Sequence, residues 1–527
     1  MTTLNTNQSR WWPASRPVEG RVTGLFRFVA LMAAITWLAA SGWVVMHTAT
    51  VGSPDEAANR LFIHHVATDG TYAIPIGLSP AETNLFHPRS TMPSGSSIIP
   101  GSFLGLVQLG GLVAQLGGLG AERLLTPILA GLALWALFNV FRRFWGRWWS
   151  LLAVTLLAVH PVFVEFMTLP YLHNGAFAAL LAIAGWALLR HLEQRSVQRA
   201  VTFGLLYGAA LMFRPIEVIW TGPIVAIMLI AWRDWWNLAI AGLAAIAVQL
   251  PWLIANHQLY GSWLSTGYAP AGLFTAGSDT DTTSSSLQLF TPAGGHWNWH
   301  WLSSTWWYLI ALVPTWSVAA VVSLVRYFRR KFTTVGKAVK LTGIGLLAVV
   351  PLVYYGSWDL YPQTPASTIG ALASYARYWL PLYMAMVAGV ILLLRTITTR
   401  WLLGVVAVAL FASQVMTVVI HPVSGIQARF SSDERGRARR DFVVNSTPTD
   451  SLIIAGHQDT YLYDVRLTTF ALPQSAADWQ TLRTVVQHRP TYIYLAPGQF
   501  DQSSLEQQLA DHELRVGQKH ISGRDSL

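Results

Sequence analysis

Long apolar runs separated by short polar segments fill the chain from about residue 28 to residue 420. Most runs are close to the roughly 20 residues that an α-helix needs to cross a bilayer. They predict about eleven membrane-spanning helices, at residues 28–46, 124–141, 149–167, 175–189, 200–214, 216–232, 238–254, 304–325, 341–356, 378–394 and 401–420. The pattern therefore predicts an all-α, polytopic membrane protein.

Two apolar stretches require separate interpretation. Residues 28–46 follow a basic flank and form a run too long for an ordinary cleaved signal, so we predict a signal anchor with a cytoplasmic N-terminus. Residues 98–118 are rich in glycine, and we predict a re-entrant or interfacial segment there and no full span. The helices of the first outer loop, residues 53–118, are then expected on the outer face of the cell (inner or cytoplasmic) membrane.

The last hundred residues have a different pattern, with shorter apolar runs and more charge. We predict a small extracytoplasmic α/β domain at residues 424–527, following a transmembrane domain at residues 1–423. The expected strands are 451–455, 467–472 and 491–495, and the expected helices are 476–487 and 503–509. This region contains no phosphate-binding loop and no nucleophile elbow.

Charge orients the spans and excludes some functions. The chain has 35 Lys and Arg, 25 Asp and Glu, and no cysteine. In the predicted topology the cytoplasmic segments are strongly basic and the outer loops before residue 424 are acidic, as the positive-inside rule requires. The basic pI therefore indicates membrane topology, and no nucleic-acid partner is expected. The absence of cysteine excludes disulfides, thiol catalysis and thiolate metal sites.

Two adjacent acids follow the first predicted span, in the stretch Ser53-Pro54-Asp55-Glu56. Ser53 suits a helix N-cap, Pro54 the first helical position, and Glu56 the acid of a capping box. A helix start accounts for Glu56 but leaves the Asp55 carboxylate free at the water–lipid boundary, beside the positive end of a helix dipole. Asp55 is therefore a candidate catalytic base.

Further polar and aromatic side chains fall on the same predicted outer face. Ordinary roles exist for some of them, since Arg60 lies four residues after Glu56 and can form a helical ion pair. The opposite face is merely basic, and this asymmetry favours a site that faces outward. The candidate binding residues are Arg60, His64, Arg89, His173, Asn174, Tyr268, Arg377 and Tyr378.

The ordered series of motifs along residues 25–423 resembles the GT-C superfamily, in the branch that contains protein O-mannosyltransferases and the lipid A aminoarabinose transferase. The motifs are Pro54-Asp55-Glu56, Phe141-Arg142-Arg143-Phe144-Trp145-Gly146-Arg147, His160-Pro161, Phe213-Arg214-Pro215, Pro251-Trp252 and Ala376-Arg377-Tyr378-Trp379-Leu380-Pro381. The resemblance implies an inverting glycosyltransferase that takes a sugar from a polyprenyl-phosphate carrier. The acceptor would be a lipid, a glycan or a protein.

The resemblance also implies roles for individual residues. The first-loop acid, here Asp55 with Glu56 beside it, would be catalytic, with Asp55 as the general base. The leaving group is an anionic lipid phosphate, and Arg89 and Arg377 are candidates to support it through bidentate contacts. The lipid tail would lie between spans.

One departure from the family pattern bears on metal binding. Family members often carry an acid about a dozen residues after the span-closing proline, and that place is His173 in this chain. We predict no cofactor and no metal site. The alternative is a divalent metal held by His173 with Asp55 and either His64 or His65, since imidazole and carboxylate together suit several such metals.

Two functions from other classes stay open on the sequence alone. A polytopic transporter or lipid flippase would also bury polar groups among helices, although the chain has no internal repeat of interrupted helices. A non-catalytic cell-envelope scaffold is the other alternative. Neutralising Asp55 distinguishes a transferase from these two alternatives, because a transferase that depends on a base should lose activity.

Overall fold

The computed structural model describes most of the chain. The described residues are 21–47, 51–231, 234–268, 299–329, 343, 345–347, 351–357, 374–420, 425–470, 472–495, 502–517, 521–522 and 525–526. Their α-helices, in chain order, are α1 (Arg21–His47), α2 (Pro54–Asp69), α3 (Pro80–Leu85), α4 (Leu104–Gly117), α5 (Leu125–Trp145), α6 (Arg147–Ala158), α7 (Pro161–Thr168), α8 (His173–Glu193), α9 (Val197–Phe213), α10 (Val218–Ala231), α11 (Trp235–Tyr260), α12 (His300–Thr305), α13 (Pro314–Phe328), α14 (Leu380–Leu394), α15 (Arg400–Ile420), α16 (Ile426–Ser446), α17 (Ala476–His488) and α18 (Gln502–Asp511).

Five helices among the described residues are long and apolar enough to cross a membrane, and two bent helix pairs raise the number to seven. The five are Ala121–Trp145, His173–Glu193, Trp235–Tyr260, Ala376–Leu394 and Arg400–Ile420. The chain is therefore a mostly helical, multi-pass membrane protein. The predicted number of eleven spans is not confirmed, because α9, α10 and the apolar part of α1 are shorter apolar helices and the span predicted at 341–356 lies partly outside the described residues.

Two predicted spans are not continuous helices. The chain bends by 67° between α6 and α7 and by 103° between residues 301–311 and α13. Each second helix begins with a proline, Pro161 or Pro314. Proline has no N–H and disfavours helical geometry in the preceding residue, which explains a break at these points. The spans predicted at 149–167 and 304–325 therefore each correspond to a bent pair of helices.

The first outer loop carries a small antiparallel sheet beside α2. Its strands are β1 (Ile74–Pro75), β2 (Thr91–Ser94) and β3 (Ser97–Pro100), in the order β1-β3-β2. The chain then enters α4, which has only 14 residues. This length is too short for a full span, as expected from the glycine-rich sequence.

The C-terminal region contains a three-stranded parallel sheet. Its strands β4 (Leu452–Ile454), β5 (Leu467–Thr469) and β6 (Thr491–Ile493) lie in the order β5-β4-β6, and α17 follows β5 in the chain. A short hairpin, β7 (Ile521–Ser522) and β8 (Asp525–Ser526), comes last. Strands β4, β5 and β6 and helices α17 and α18 lie where the sequence predicts them, whereas the hairpin was not predicted. A boundary at residue 424 and an extracytoplasmic location remain predictions.

The C-terminal region and the first outer loop share a hydrophobic core. Leu78 and Phe86 of the loop are buried with Leu452, Ile454 and Trp479 of the C-terminal region. Burial of this apolar surface holds the two segments together, although more than 350 residues separate them in the chain.

Polar contacts reinforce this attachment. Arg60 of α2 forms an ion pair with Asp464, and Arg489 Nη1 donates to the Ile76 carbonyl oxygen over 2.8 Å. The predicted first outer loop, which carries Asp55, is therefore attached to the C-terminal region by both apolar and polar contacts.

Candidate active site

Local interactions at the start of α2 position the two adjacent acids. Ser53 is the N-cap, and its Oγ accepts a hydrogen bond from the Glu56 N–H at 3.3 Å. The same hydroxyl donates to Glu56 Oε2 at 3.1 Å. The predicted N-cap is therefore present, but the Glu56 carboxylate accepts from the Ser53 side chain. Glu56 is buried, whereas the Asp55 side chain keeps 19% of its surface exposed.

The Asp55 carboxylate accepts hydrogen bonds from two distant parts of the chain. Ser90 Oγ donates to Oδ1 at 2.7 Å, and Arg377 Nη2 donates to Oδ2 at 2.9 Å. Arg377 lies in a 3-10 helix, Ser374–Trp379, which leads directly into α14. A helix start, a loop and a membrane helix therefore meet at one carboxylate.

The surroundings of Asp55 keep it ionised. Burial opposes the charge, but the Arg377 guanidinium and the Ser90 hydrogen bond outweigh it, so the pKa of Asp55 lies below its ordinary value of 3.8. At neutral pH the group is a carboxylate with a lone pair available for a proton. This is the protonation state that a general base requires.

Arg377 has hydrogen-bonding capacity left after it pairs with Asp55. Its Nη2 also donates to the Tyr378 hydroxyl at 3.2 Å, while its buried Nε has no hydrogen-bond partner among the described residues. Asn174 Nδ2 donates to the Arg377 carbonyl oxygen at 3.4 Å and so ties this backbone to α8. A buried guanidinium with an unused N–H suits an anionic ligand.

His173, the first residue of α8, lies within the same network. Asn59 Nδ2 donates to the Tyr171 carbonyl oxygen at 2.9 Å and lies 3.2 Å from His173 Nε2, while Asn59 Oδ1 accepts from Ser102 Oγ at 2.8 Å. Because Asn59 donates, Nε2 of a neutral His173 must accept, and its proton is on Nδ1. This Nδ1 is buried without a hydrogen-bond partner in the described part of the chain. His173 can therefore donate one hydrogen bond to a ligand.

Aromatic rings connect this network to a second buried ion pair. Tyr378 stacks on Tyr355 with ring centres 4.9 Å apart, and the Arg214 guanidinium lies 4.9 Å from the Tyr378 ring centre. Arg214 donates to Glu217 at 2.7 Å and to the Tyr355 hydroxyl at 2.9 Å. The cation is neutralised by its own acid, so it packs beside the site without competing for Asp55.

Tyr268 closes the described part of the site. Its ring contacts Phe103 edge-on at 4.8 Å, and Phe103 in turn contacts His173 at 5.8 Å. The charges of Asp55 and Arg377 both act on the Tyr268 hydroxyl. Residues 269–298, which follow it, lie outside the described residues.

Three comparisons with known proteins relate this geometry to a family. A family model described as dolichyl-phosphate-mannose-protein mannosyltransferase matches residues 111–256. The crystal structure of ArnT from Cupriavidus metallidurans bound to undecaprenyl phosphate is 11% identical, with a TM-score of 0.57, over 96% of this chain and 97% of that chain. The apo structure of that protein is 13% identical with a TM-score of 0.49 over the same shares, and the apo oligosaccharyltransferase of Archaeoglobus fulgidus is 12% identical with a TM-score of 0.43 over 88% and 64%. No curated protein matches the chain. Residues 111–256 thus resemble a mannosyltransferase family, and the chain shares the fold of the ArnT structure.

The family match covers only part of the candidate site. His173, Asn174 and Arg214 lie inside residues 111–256, whereas Asp55 and Arg377 lie outside them. The roles of individual residues are therefore argued from their contacts. The structure brings together Asp55, His173, Asn174, Tyr268, Arg377 and Tyr378 of the predicted set.

Four other predicted site residues have different neighbours. Arg60 pairs with Asp464, and His64 Nε2 lies 3.2 Å from Glu122 Oε1. Arg89 forms a bidentate pair with Asp459, at 2.9 and 2.5 Å. Glu56 lies in the field of Arg429, which forms an ion pair with Glu165. Their assignment as catalytic or substrate-binding residues remains a prediction.

The proposed metal ligands are dispersed. His65 lies 2.9 Å from Asp69 and 3.0 Å from the Thr71 hydroxyl, and His64 faces Glu122. Within the part of the chain that the structure describes, no group of three or more His, Asp or Glu side chains is arranged to hold a metal ion. The alternative of a site with His173 and Asp55 has no third ligand in this part.

Sequence reasoning missed several contributors to the site. Ser90, Asn59 and Ser102 contact the site residues but are common polar residues with no distinguishing local pattern. The ion pair between Arg214 and Glu217 could have been predicted, since residues three apart face each other on a helical turn.

Proposed function

We propose that this protein transfers a sugar from a polyprenyl-phosphate carrier to an acceptor hydroxyl on the outer face of the cytoplasmic membrane, with inversion at the anomeric carbon. The observation that carries this proposal is the pairing of Asp55 with Arg377. A carboxylate and a guanidinium meet at the start of a membrane helix, which suits a lipid-linked anionic donor and a neutral acceptor.

The proposed chemistry balances with these two groups. The acceptor oxygen attacks the anomeric carbon from the side opposite to the phosphate, and its proton moves to the Asp55 carboxylate. The bond between the anomeric carbon and the phosphate oxygen breaks, and the electron pair leaves with the polyprenyl phosphate. No acid is needed at the leaving group, because the phosphate leaves as an anion that a guanidinium stabilises.

Arg377 is the better of the two predicted arginines for supporting the phosphate. Both Arg89 Nε and Nη2 donate to one buried carboxylate, that of Asp459, whereas Arg377 Nε has no hydrogen-bond partner among the described residues. When a phosphate binds Arg377, the ion pair between this arginine and Asp55 weakens. The basicity of Asp55 then rises when the donor is in place.

The remaining residues of the network suit donor recognition. The Nδ1–H of His173 can donate to a sugar hydroxyl or a phosphate oxygen, and Tyr268 and Tyr378 can present aromatic surface to a sugar ring. Asn174 supports the Arg377 backbone. The similar ArnT structure holds undecaprenyl phosphate, and the matching family is described by a dolichyl-phosphate donor. Both are polyprenyl phosphates, which supports a donor of this class.

Two experiments test the proposal. Purified protein in lipid nanodiscs is incubated with synthetic undecaprenyl-phosphate sugars, and release of undecaprenyl phosphate is followed with and without a cell-envelope extract as acceptor. Release that depends on the extract and on Asp55 is the expected result. Lipid and envelope-glycan profiles of a deletion strain and its parent then identify the sugar and the acceptor. Identical profiles, with no turnover of any donor, would contradict the proposal.

A further inference from the structure

Arg89 connects the C-terminal region to the candidate base. Its Nε and Nη2 donate to the two oxygens of Asp459, and its guanidinium lies 4.5 Å from the centre of the Phe470 ring. The next residue in the chain, Ser90, donates to Asp55. Arg89 thus contacts the C-terminal region, and the adjacent Ser90 contacts the candidate site.

Tyr463 holds the backbone of the same dipeptide. Its hydroxyl lies 3.0 Å from the Arg89 carbonyl oxygen and 3.1 Å from Asp459 Oδ2, so its single O–H hydrogen is within donating distance of both acceptors. The side chain of Asp459 has no exposed surface, and Tyr463 is also buried. Buried, mutually bonded groups of this kind have one arrangement, so both the side chain and the carbonyl of Arg89 are fixed.

Ser90 has an unusual backbone conformation that the contacts of Asp459 and Tyr463 with Arg89 can maintain. Its φ is +58°, in the left-handed region that residues with a Cβ rarely adopt. The Gly101 N–H donates to the Ser90 carbonyl oxygen at 3.0 Å, and a Cβ at position 101 would lie only 2.6 Å from that oxygen. Ser90 is therefore held on one side by Gly101 and on the other by Arg89, which Asp459 and Tyr463 hold in place. In this conformation its hydroxyl lies 2.7 Å from Asp55 Oδ1.

We infer that Asp459 and Tyr463 are positioning residues for sugar transfer, which hold Arg89 so that the Ser90 hydroxyl orients the Asp55 carboxylate. The inference rests on the proposed function of Asp55 as the base. A carboxylate that accepts from Ser90 on one oxygen and Arg377 on the other cannot rotate freely. Its remaining lone pair then keeps one direction toward the acceptor, and small losses of such alignment are costly in rate.

Three variants in the full-length protein, reconstituted in nanodiscs, test the inference: Asp459→Asn, Tyr463→Phe and Ser90→Gly. Glycine accepts a φ of +58° without strain, so any loss in Ser90→Gly reports the hydroxyl. Each variant should lower kcat by roughly 10- to 100-fold, as expected for a lost hydrogen bond to a charged group. The KM for the lipid donor should change little, because none of the three residues belongs to the proposed donor pocket.

The pH profile separates positioning from general destabilisation. The ionisable groups that act on Asp55 are Arg377, His173, Tyr268 and Tyr463, and Ser90→Gly alters none of them. Without the Ser90 hydrogen bond the carboxylate is less stabilised, so the acid limb of kcat/KM should move to higher pH. Combining Asp459→Asn with Ser90→Gly should give little more loss than Ser90→Gly alone, because both act through one hydroxyl.

Asp464→Asn is the matched control. Asp464 accepts from Arg60 and Arg440, a different attachment between the C-terminal region and the rest of the chain. Its variant should leave the acid limb in place even if thermal stability falls. If Asp459→Asn does not fold, Tyr463→Phe and Ser90→Gly still decide the question.

Two results would overturn the inference. One is normal kcat and an unmoved acid limb in Ser90→Gly. The other is a Tyr463→Phe profile that matches Asp464→Asn. Full turnover of Asp55→Asn in the same series would instead refute the proposed function, so the two failures are distinguishable.

Discussion

Arg377 Nη2 donates to Asp55 Oδ2 across 2.9 Å, although 322 positions separate the two residues in the chain. The pair joins the first outer loop to the start of a late membrane helix. It accounts for the ionised state of Asp55 at neutral pH, and it places near this carboxylate a guanidinium whose Nε has no hydrogen-bond partner among the described residues. The predictions below follow from this pair and its neighbours.

Asp55→Asn should abolish sugar transfer and leave donor binding largely intact. The amide keeps the shape of the side chain but cannot accept the proton, and loss of a positioned base costs on the order of a hundred- to ten-thousand-fold in rate. Turnover and binding of a labelled polyprenyl-phosphate sugar are measured on the same preparation. Asp511→Asn, at an exposed position of α18, is the control. Near-normal turnover by the Asp55 variant would remove the mechanism.

The acid limb of the pH profile should depend on Arg377. Because the pKa of Asp55 is held below its ordinary 3.8, kcat/KM should fall only as pH drops through this lowered pKa, at a more acidic pH than for an ordinary aspartate. Arg377→Gln removes the main stabilising charge while burial persists, so the limb should move to higher pH. The profiles of the two proteins are compared. An unmoved limb would mean that Asp55 is not the titrating group.

Glu56→Gln should raise thermal stability at neutral pH and retain most of the turnover. Burial raises the pKa of Glu56 above 4.5, despite Arg429 and the Ser53 hydrogen bond. A raised carboxyl pKa lowers stability as pH rises from the unfolded value to the folded value. The variant does not titrate, so its advantage should grow across that window, to roughly 1–3 °C in Tm.

The measurement for Glu56 is a melting series from pH 4 to pH 8 on both proteins. Gln also suits a helix N-terminus, so the start of α2 should persist. A variant that is less stable at every pH would show that the charge of Glu56 contributes to the fold.

Exhaustive chelation should leave turnover unchanged. His173 should instead contribute by donating a hydrogen bond from its Nδ1–H to the sugar donor. His173→Asn places an amide N–H near the position of Nδ1 and should raise the donor KM several-fold, whereas His173→Ala should lose more. Each loss corresponds to one hydrogen bond to an anionic or polar ligand. If chelation abolishes activity and a divalent metal restores it, His173 is the first ligand to examine.

Reporter fusions should place the C-terminal region outside. The basic bias of the predicted inner segments puts the chain after Gly146 in the cytoplasm and the chain after Ser424 on the outer face. Enzyme reporters that are active on only one side of the membrane are fused at each point. The same side for both fusions would make the number of spans wrong and would remove Asp55 from the compartment of the C-terminal region.

Short-range interactions explain what could be predicted from the sequence. The apolar runs determine membrane helices, because each residue in lipid must be apolar and hydrogen-bonded within its own helix. Ser53 and Pro54 determine the start of α2 through contacts within one turn. These effects depend on neighbours only a few positions away, so the position of Asp55 in the first turn of α2 was accessible from the sequence.

Tertiary packing decided the partners of these residues. Arg89 and Arg377 are chemically equal in the sequence, yet one pairs with Asp459 and the other with Asp55. The choice depends on how the C-terminal region packs on the first outer loop, through a core whose members lie hundreds of positions apart. Ser90 reaches Asp55 only because this packing, with Gly101, holds a left-handed backbone. Contacts between distant segments depend on the whole chain path, which no local pattern of residues records.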